Sequence, residues 1–356
     1  MKKFISALIA GLFFSTMISS LVVIADENEN PFNAGNGTSM DPFQITTIEQ
    51  LDSIRNYLDC CFVLMNDLDF TNADSYEDSN NMIKYITGDG WKPIGGYKEG
   101  AEFTGSFNGQ GFTISNLFVN QSFAHYSSLF GKIVDAEISH LILDDVYVKG
   151  TGFIGGIAGN NEHGEITDCT ISGFVDGSSL YIGGLVGRNN GSIDNCHVST
   201  LVSGDLYVGG LVGLNKGCIF NSSASEDVNG NDYKSEIRNI GGLVGGNLGS
   251  ISDSFATGNV TGNSYVGGLA GGNWQNISDC YATGKVTSVW HNHGNITLGR
   301  RYVGRLTGAN FGSVTDSYAT GKVAFRGYSF GILYHLITHI FPDGFFSNDW
   351  NWWLKI

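Results

Sequence analysis

Apolar residues and glycines recur together along the middle of the chain, in a block of the form Gly-Gly-Leu-Val-Gly. The block begins at Gly155, Gly183, Gly209, Gly241 and Gly267, and a degenerate copy begins at Gly304. Successive blocks are 28, 26, 32, 26 and 37 residues apart. Self-similarity at a period of this length indicates a solenoid or a propeller.

Several other positions repeat in step with this block. The sixth residue after its first glycine is asparagine in all six repeats, namely Asn161, Asn189, Asn215, Asn247, Asn273 and Asn310. An Ile/Val position, an Asp/Asn position, a Ser/Cys position and a late Val follow in that order. The first repeat needs one extra residue between Asn161 and Gly164 to stay in register, and residues 127–131 are a diverged seventh copy of the block.

Each repeat holds three short β-type segments, at the glycine block, at the stretch from Ile to Ser/Cys, and at the late Val. Glycine and asparagine separate these segments and supply the turns. Three strands in about 26 residues make one coil of a β-solenoid, whereas a propeller blade needs about 40 residues or more. The pattern therefore predicts an all-β parallel β-helix (β-solenoid) of three-strand coils.

Stacked coils place equivalent residues above one another at about 4.8 Å. The six asparagines should then form a hydrogen-bonded ladder, and the Leu, Ile and Val columns the interior, because one coil cannot bury a core alone. Both faces of the glycine block are apolar, so alternation does not decide which face points inward. We expect Leu185 and its equivalents to point inward.

The chain has six cysteines, and three of them fall in the Ser/Cys column. That column consists of Cys169, Cys196, Ser222, Ser254, Cys280 and Ser317. Because serine takes the same position in three repeats, we interpret these cysteines as small, unbonded core residues. A bond between Cys169 and Cys196 on neighbouring coils stays open.

The ends of the chain differ from the repeats. Lys2 and Lys3, an apolar run and Ala25 before an acidic pair are typical of a signal peptide, with an uncleaved anchor as the alternative. The net charge is −15, and −17 without that basic segment, so nucleic acid and anionic membranes are poor partners. Beyond residue 323 the chain is strongly aromatic, which suits an improvised cap or the product of a frameshift.

The repeats closely resemble the GLUG repeat, a module of bacterial and archaeal secreted and surface proteins. The best copies are residues 266–273, Val-Gly-Gly-Leu-Ala-Gly-Gly-Asn, and residues 249–258, Gly-Ser-Ile-Ser-Asp-Ser-Phe-Ala-Thr-Gly. The preceding segment also resembles what leads into such repeats. Residues 41–51 look like a cap with a short helix, and residues 62–70, 91–96 and 103–111 look like its first strands. A cap protects the open end of a solenoid from edge pairing.

The resemblance divides the chain into four parts. These are a signal peptide over residues 1–25, an N-terminal cap with the first strands over 26–126, GLUG-type repeats over 127–323 and an aromatic tail or cap over 324–356. The resemblance to GLUG-repeat proteins implies surface display and adhesion. GLUG repeats also occur in IgA-cleaving metallopeptidases, but the chain contains no His-Glu-x-x-His motif, so that activity does not transfer.

One column carries the candidate binding residues. His197, Phe255, Tyr281 and Tyr318 directly follow the Ser/Cys position. Neighbouring residues of a strand point to opposite faces, so these side chains are expected outside, as a stripe for sugar stacking or a protein contact. Ordinary packing between coils is the alternative.

Three further groups are weaker candidates. The aspartates of the Asp/Asn column would suit a β-helix polysaccharide lyase or hydrolase, but they alternate with asparagine, as turn residues do. They are Asp168, Asp253, Asp279 and Asp316. Residues 227–232 lack the glycine of a calcium loop, and Arg238 stands where its glutamate belongs. The pair His291 and His293 lacks a third zinc ligand.

We therefore expect no catalytic, cofactor or metal site. The sequence favours a non-catalytic repeat protein, secreted or on the cell surface, that binds a glycan or a protein and has no membrane span in the mature chain. A carbohydrate-active β-helix enzyme and a structural spacer within a larger surface protein are the alternatives.

Overall fold

The computed structural model describes residues 30–71, 85, 88–96, 98, 100–121, 124–178, 180–231, 238–290 and 302–327. The chain divides into two units, Met1–Pro31 and Phe32–Ile356, and the fold described below is that of the second unit. The predicted signal peptide lies outside the described residues, as does the predicted tail beyond residue 327.

The second unit is a parallel β-solenoid of about six turns with one short N-terminal α-helix, which confirms the predicted fold class. Two large sheets run along it. The first sheet contains, in spatial order, Phe43–Ile45, Cys61–Leu64, Ser106–Asn108, Glu137–Ser139, Glu165–Thr167, Ser192–Asp194, Cys218–Phe220, Ser250–Ser252, Asn276–Ser278 and Ser313–Thr315. The second sheet contains Leu68–Asp69, Thr113–Ser115, Phe118–Gln121, Ile142–Gly150, Thr170–Gly177, His197–Gly204, Ser223–Ala224, Val228–Gly230, Phe255–Ala256, Val260–Gly262, Tyr281–Ala282, Val286–Trp290, Tyr318–Ala319 and Val323–Gly327.

Two smaller sheets are built from the glycine blocks. The third sheet contains Tyr126–Ser127, Phe153–Ile154, Tyr181–Gly183, Tyr207–Gly209, Asn239–Gly241, Tyr265–Gly267 and Tyr302–Gly304. The fourth sheet contains Phe130–Val134, Ala158–Glu162, Val186–Asn189, Val212–Asn215, Val244–Asn247, Ala270–Asn273 and Thr307–Asn310. The diverged copy at residues 127–131 contributes to the first strand of both sheets, Tyr126–Ser127 and Phe130–Val134.

Each coil therefore passes through four sheets, because the block expected to form one strand forms two. In the repeat that begins at Gly209, the strand Tyr207–Gly209 ends at the block, and Val212–Asn215 begins after a bend at Gly210 and Leu211. This bend lets consecutive residues face the interior. Leu211 and Val212 are both fully buried, and so are Leu185 and Val186. Leu185 points inward as expected, and the valine beside it does too.

The third and fourth sheets touch through their backbones, and glycine is required where they meet. A Cβ atom on Gly213 would lie 2.5 Å from the amide nitrogen of Ile182 and 2.6 Å from the carbonyl oxygen of Gly187. Gly187, Gly245 and Gly271 lie equally close to backbone atoms of the preceding coil. No side chain fits between these sheets, which explains why the last glycine of the block recurs in every repeat.

The Asp/Asn column forms the turns between the first and second sheets. Its members adopt φ angles between 46° and 54°: Asp168, Asn195, Asn221, Asp253, Asp279 and Asp316. Among non-glycine residues, Asp and Asn tolerate this left-handed conformation best. The alternation of the two residues in this column is thus explained by the turn that both can make.

An N-terminal cap precedes the coils. The α-helix Ile48–Ser53 begins after Thr47, whose side chain accepts a hydrogen bond from the amide of Gln50, and a 3-10 helix, Ile54–Asn56, follows it. The helix buries Ile48 and Leu51, beside stacked aromatic rings of the cap.

The strand expected over residues 91–96 is not a strand. Gly90 and Ile94 form isolated bridges only, while the Trp91 side chain is fully buried. Pro93 removes a backbone donor at this point, so a continuous ladder cannot form. In the segments 62–70 and 103–111, the strands are shorter than predicted.

We predict that Gly213→Ala lowers the free energy of unfolding by about 1–3 kcal/mol, because its new methyl group meets backbone that cannot move aside. Gly96→Ala is the matched control, since the nearest atom to its Cβ is a side-chain carbon 3.4 Å away. Chemical denaturation followed by far-ultraviolet circular dichroism measures both. Equal stability of the two variants would contradict the backbone contact between the sheets.

Candidate interaction surface

The six ladder asparagines stack along the ends of the fourth-sheet strands. Each amide nitrogen donates to the amide oxygen of the next coil, with Nδ2 to Oδ1 distances of 2.8–2.9 Å from Asn161 through to Asn310. The first five side chains are fully buried, and Asn310 is half-buried. An unpaired amide would be costly at these buried positions, and the ladder satisfies it coil by coil.

The first five asparagines also bond to the turn that follows each of them. Asn161 bonds to both the amide and the carbonyl of Gly164, three residues on, whereas Asn189 bonds to those of Gly191, only two residues on. The extra residue of the first repeat is accommodated within this turn. The ladder is therefore part of the scaffold, and its amides are not available to a ligand.

The Ser/Cys column lies inside the coil beside the Asx turns. Each side chain donates to the carbonyl two residues before it, as Cys196 Sγ does to Asp194 at 3.2 Å and Ser222 Oγ to Phe220 at 2.7 Å. The Ser222 hydroxyl also accepts a hydrogen bond from the Cys196 amide. Cysteine and serine are interchangeable here because both are small donors. The six cysteines, Cys60, Cys61, Cys169, Cys196, Cys218 and Cys280, are free thiols.

The pKa values of two cysteines in this column are raised. The hydrogen bond with Cys169, together with burial, raises the pKa of Cys196 well above its usual range. Burial raises the pKa of Cys280 to about 11. Cys218 is exposed on the first sheet. The reactive thiolate is thus disfavoured at Cys196 and Cys280.

The predicted aromatic stripe occupies the outer face of the second sheet. Phe255 and Tyr281 stack at 4.7 Å between ring centroids with planes 3° apart, and Tyr281 and Tyr318 stack at 5.5 Å and 12°. His197 is two coils away from Phe255, and its ring bonds to the hydroxyl of the intervening Ser223 at 2.9 Å. The stripe is thus a continuous stack of three rings with a separate histidine.

Stacking within the stripe covers the ring faces. Phe255 and Tyr281 are half-buried, and Tyr318 is 57% exposed. Sugar stacking needs a free ring face, so along most of the stripe a ligand meets ring edges and phenol hydroxyls instead. If a sugar stacks on this stripe, we therefore expect it to do so on the last ring, Tyr318.

Two polar rows run parallel to the stripe. Thr257, Thr283 and Thr320 lie two residues beyond the rings and are exposed. Asp253, Asp279 and Asp316 lie two residues before them and are also exposed. The last three coils therefore present carboxylates, ring edges and hydroxyls in parallel rows that repeat at about 4.8 Å.

A second aromatic column was missed by sequence reasoning. It lies on the third sheet and consists of Tyr126, Phe153, Tyr181, Tyr207, Tyr265 and Tyr302, interrupted by Asn239. From Phe153 on, this position is two residues before the first glycine of each block. Ring centroids of adjacent members lie 4.9–5.5 Å apart. Burial raises the pKa of Tyr126 and of Tyr207. Reading the position before each glycine block would have revealed this column.

Two carboxylates near the start of the fourth sheet share one lysine. Lys132 Nζ lies 3.3 Å from Glu102 Oε1 and 3.2 Å from Glu162 Oε2. A backbone hydrogen bond and Lys132 lower the pKa of Glu102. Burial raises the pKa of Glu162, but hydrogen bonds from Asn160 and Lys132 outweigh it and leave that pKa lowered. Both groups are therefore poor proton donors at neutral pH.

A small cleft in the cap is lined by residues that bond to one another. It has a volume of about 240 Å³ and is lined by Asp52, Arg55, Tyr85, Gly90 and Lys92. The Arg55 guanidinium pairs with Asp52 and lies 5.5 Å from the centroid of the Trp91 ring. Tyr85 donates to the other oxygen of Asp52 at 3.1 Å. These groups stabilise the cap.

The remaining candidates from the sequence contribute less. Asp227 accepts hydrogen bonds from the backbone and side chain of Asn259 in the next coil. His291 and His293 lie outside the described residues. Within the part of the chain that is described, no three His, Cys, Asp or Glu side chains converge as metal ligands would. In the same ranges, no helix has the length and apolar character needed to cross a bilayer.

Three segments, residues 178–200, 238–261 and 262–287, match the family model described as the GLUG motif. The chain is a GLUG-repeat protein. Each matched segment contains a glycine block together with the Asx turn and the stripe position that follow it. The match thus covers the columns that build the ladders described above.

Relatives of this GLUG-repeat protein include much longer chains. A putative Gly-rich membrane protein of Evansella cellulosilytica is 36% identical over 200 residues, which are 55% of this chain and 18% of the relative. Halomucin of Haloquadratum walsbyi is 34% identical over 163 residues, 43% of this chain and 2% of the relative. This chain spans less than a fifth of either relative.

One solved structure is similar along most of the chain. It is described as a putative immunoglobulin A1 protease from Bacteroides ovatus, and it aligns with 88% of this chain and 91% of its own. The sequence identity is 18% and the TM-score is 0.47.

We predict that Asn215→Ala destabilises this GLUG-repeat protein by about 2–4 kcal/mol, because amide groups of two neighbouring asparagines lose a buried partner. Asn310→Ala is the control, since Asn310 is half-buried and only receives the ladder bond from Asn273. It should cost about 1 kcal/mol or less. Urea denaturation of both variants tests the ladder, and equal losses would refute its contribution.

Thiol labelling should follow exposure and pKa. At pH 8 we expect a maleimide to modify Cys218 well before Cys280, whose pKa of about 11 leaves it protonated. Labelling of Cys280 should rise about tenfold per pH unit below its pKa while the fold persists. Mass spectrometry of timed samples reads the order. Cys280 reacting as fast as Cys218 in the native protein would contradict the buried column.

Proposed function

We propose that this GLUG-repeat protein is a non-catalytic interaction module at the cell surface, and that the outer face of its second sheet contacts the ligand, a glycan or a protein. The observation that carries the proposal is the set of parallel outward rows on the last three coils. Stacked rings run along this face, and exposed hydroxyl and carboxylate groups lie in rows beside them.

The chemistry of these rows suits a repetitive ligand. The hydroxyls of Thr283 and Thr320 and the phenols of Tyr281 and Tyr318 repeat once per coil. A linear glycan repeats its hydroxyls at a similar distance, so several weak contacts can form on one face and add up through avidity. Exposed carboxylates of the Asp row can accept hydrogen bonds from sugar hydroxyls.

A non-catalytic role agrees with the state of the carboxylates. Glycoside hydrolysis needs one carboxyl group that stays protonated, through a raised pKa, beside a second ionised group. Glu102 and Glu162 share Lys132, and their pKa values are lowered. The Asp column is accounted for by its left-handed turn conformation. These features favour binding over the alternative of a carbohydrate-active enzyme.

Surface location is supported by two features. The first 25 residues have the sequence of a signal peptide, with a basic start, an apolar run and a small residue before an acidic pair. A relative with 36% identity is named a membrane protein. The acidic net charge of −15 favours glycan or protein partners over nucleic acid.

Glycan and host-protein arrays probed with the full chain test the proposal. Once a ligand is found, the double variant Tyr281→Phe and Thr283→Val should bind it about tenfold more weakly, because two hydroxyls are lost while the ring stack remains. Tyr181→Phe, which removes a phenol hydroxyl on the third sheet, is the matched control and should bind normally.

Two outcomes would contradict this assignment. Equal weakening by Tyr181→Phe would place the ligand elsewhere, and silence across the arrays would favour a spacer. Release of reducing ends from pectin, alginate or chitin would support the enzyme alternative. If that release survived in Asp253→Asn and Asp279→Asn, those two residues would have no part in it.

A further inference from the structure

Cysteine occupies the Ser/Cys column on two neighbouring coils. The flanking strands are in register on both sides of the turn, so Cys169 and Cys196 stack one above the other. Coils lie about 4.8 Å apart, which is within the range of about 4.4–6.8 Å that disulfide-bonded residues span between their Cα atoms. Both side chains are fully buried inside the coil. This pair is therefore placed for a covalent link between two repeats.

The two thiols of this pair interact directly. Cys169 Sγ donates to the carbonyl oxygen of Thr167 at 3.1 Å. Cys196 Sγ also lies 3.5 Å from the carbonyl oxygen of Ile166, which belongs to the coil of Cys169, so this thiol leans towards its neighbour. The hydrogen bond with Cys169 is the largest cause of the raised pKa of Cys196. Forming a disulfide thus requires rotation of side chains within the column and no change in the register of the strands.

The other cysteines of the repeats lack such a neighbour. Cys280 has Ser254 and Ser317 on either side of it in the same column. Cys218 faces serine on both neighbouring strands of the first sheet. All of these cysteines are thiols in the structure. Cys280 therefore shares the column and the burial of the pair but has no cysteine beside it in that column.

We propose that Cys169 and Cys196 form a disulfide bond when the chain folds in the presence of an oxidant, and that this bond joins two successive coils. The thiolate of one cysteine attacks a small-molecule disulfide, such as oxidised glutathione, and releases one glutathione thiol. The second cysteine then attacks the mixed disulfide and releases the other. Two protons and two electrons leave the pair, and one disulfide donor is reduced to two thiols. The proposal depends neither on the ligand nor on the location proposed above.

Burial determines when this bond can form. Once the coils are stacked, neither side chain has exposed surface, and the raised pKa of Cys196 disfavours its thiolate. An oxidant therefore reaches the pair only before the second of the two coils closes over the first. The same burial shields the finished bond from a reductant. The oxidation state of the pair is thus set during folding and is retained afterwards.

A bond at this position acts on the contact between two coils. A solenoid is held together by contacts between successive repeats, so it can open at any one of them. The bond closes a loop of one repeat, from Cys169 to Cys196, and so removes part of the conformational entropy of the unfolded chain. The coil of Cys169 has a turn one residue longer than that of the next coil. The bond therefore fixes the register between two coils of unequal length.

Alkylation after folding tests the proposal. The full chain is refolded from denaturant either with oxidised and reduced glutathione or with a reductant alone, and it is then denatured and treated with iodoacetamide. After oxidative folding, we expect Cys169 and Cys196 to escape alkylation and Cys280 to be alkylated. Trypsin cleaves at Arg188, between the members of the pair, so mass spectrometry should show their two peptides joined. Oxidised glutathione added only after reductive folding should leave the two peptides separate.

Cys196→Ser removes the bond but supplies a residue that the column already contains, so the coil should still form. For the unaltered chain after oxidative folding, the midpoint of urea unfolding should be about 0.5–1 M higher without a reductant than with one. Cys280→Ser should retain this difference, and Cys196→Ser should lose it. Alkylation of the pair after oxidative folding, or linkage of either member to another cysteine, would overturn the proposal. So would a difference that persists in Cys196→Ser.

Discussion

The close backbone contact between the third and fourth sheets is the constraint on which the coil depends. At Gly213 and its equivalents, two strands approach until no Cβ atom fits between them. The chain must therefore bend sharply at the preceding Gly-Leu pair, and the bend turns both Leu211 and Val212 into the interior. Rings of the third sheet lie against the fourth: a Cβ atom on Gly246 would be 2.9 Å from the Tyr207 ring. One glycine position thus shapes the core and the outer surface together.

Stacking of the coils repeats the same side-chain contacts along the axis of the solenoid. A buried asparagine is costly alone, but in a ladder each amide satisfies the next, so the sequence keeps asparagine at all six positions. The Ser/Cys column needs only a small donor, and there the residue varies. The degree of variation in each column follows from how specifically its neighbours above and below constrain it.

The columns of the fold could be predicted because stacking makes equivalent residues neighbours. Fold class and the diverged copy at residues 127–131 followed from that periodicity, and the cap helix followed from the resemblance to GLUG-repeat proteins. The division of the glycine block into two strands did not, because a run that is apolar on both faces gives no alternation to read. The strand over residues 91–96 was expected from the resemblance alone, and Pro93 interrupts hydrogen bonding there. The tyrosine column escaped notice because its members lie just before the glycine block, outside the positions that were compared.

The same physics bears on the candidate surface. Sequence alone places Phe255, Tyr281 and Tyr318 outside but does not fix ring orientation, and orientation determines what they can bind. Rings one coil apart stack on one another because the coil spacing of about 4.8 Å falls within the centroid separations that offset-stacked rings adopt. Stacking within the scaffold covers the faces of these rings. The groups that a ligand could contact are then those of the polar rows beside them and the last ring of the stack. In such a solenoid, added repeats lengthen these rows without changing the coil, so binding to an extended partner can grow with repeat number while stability stays a nearest-neighbour property.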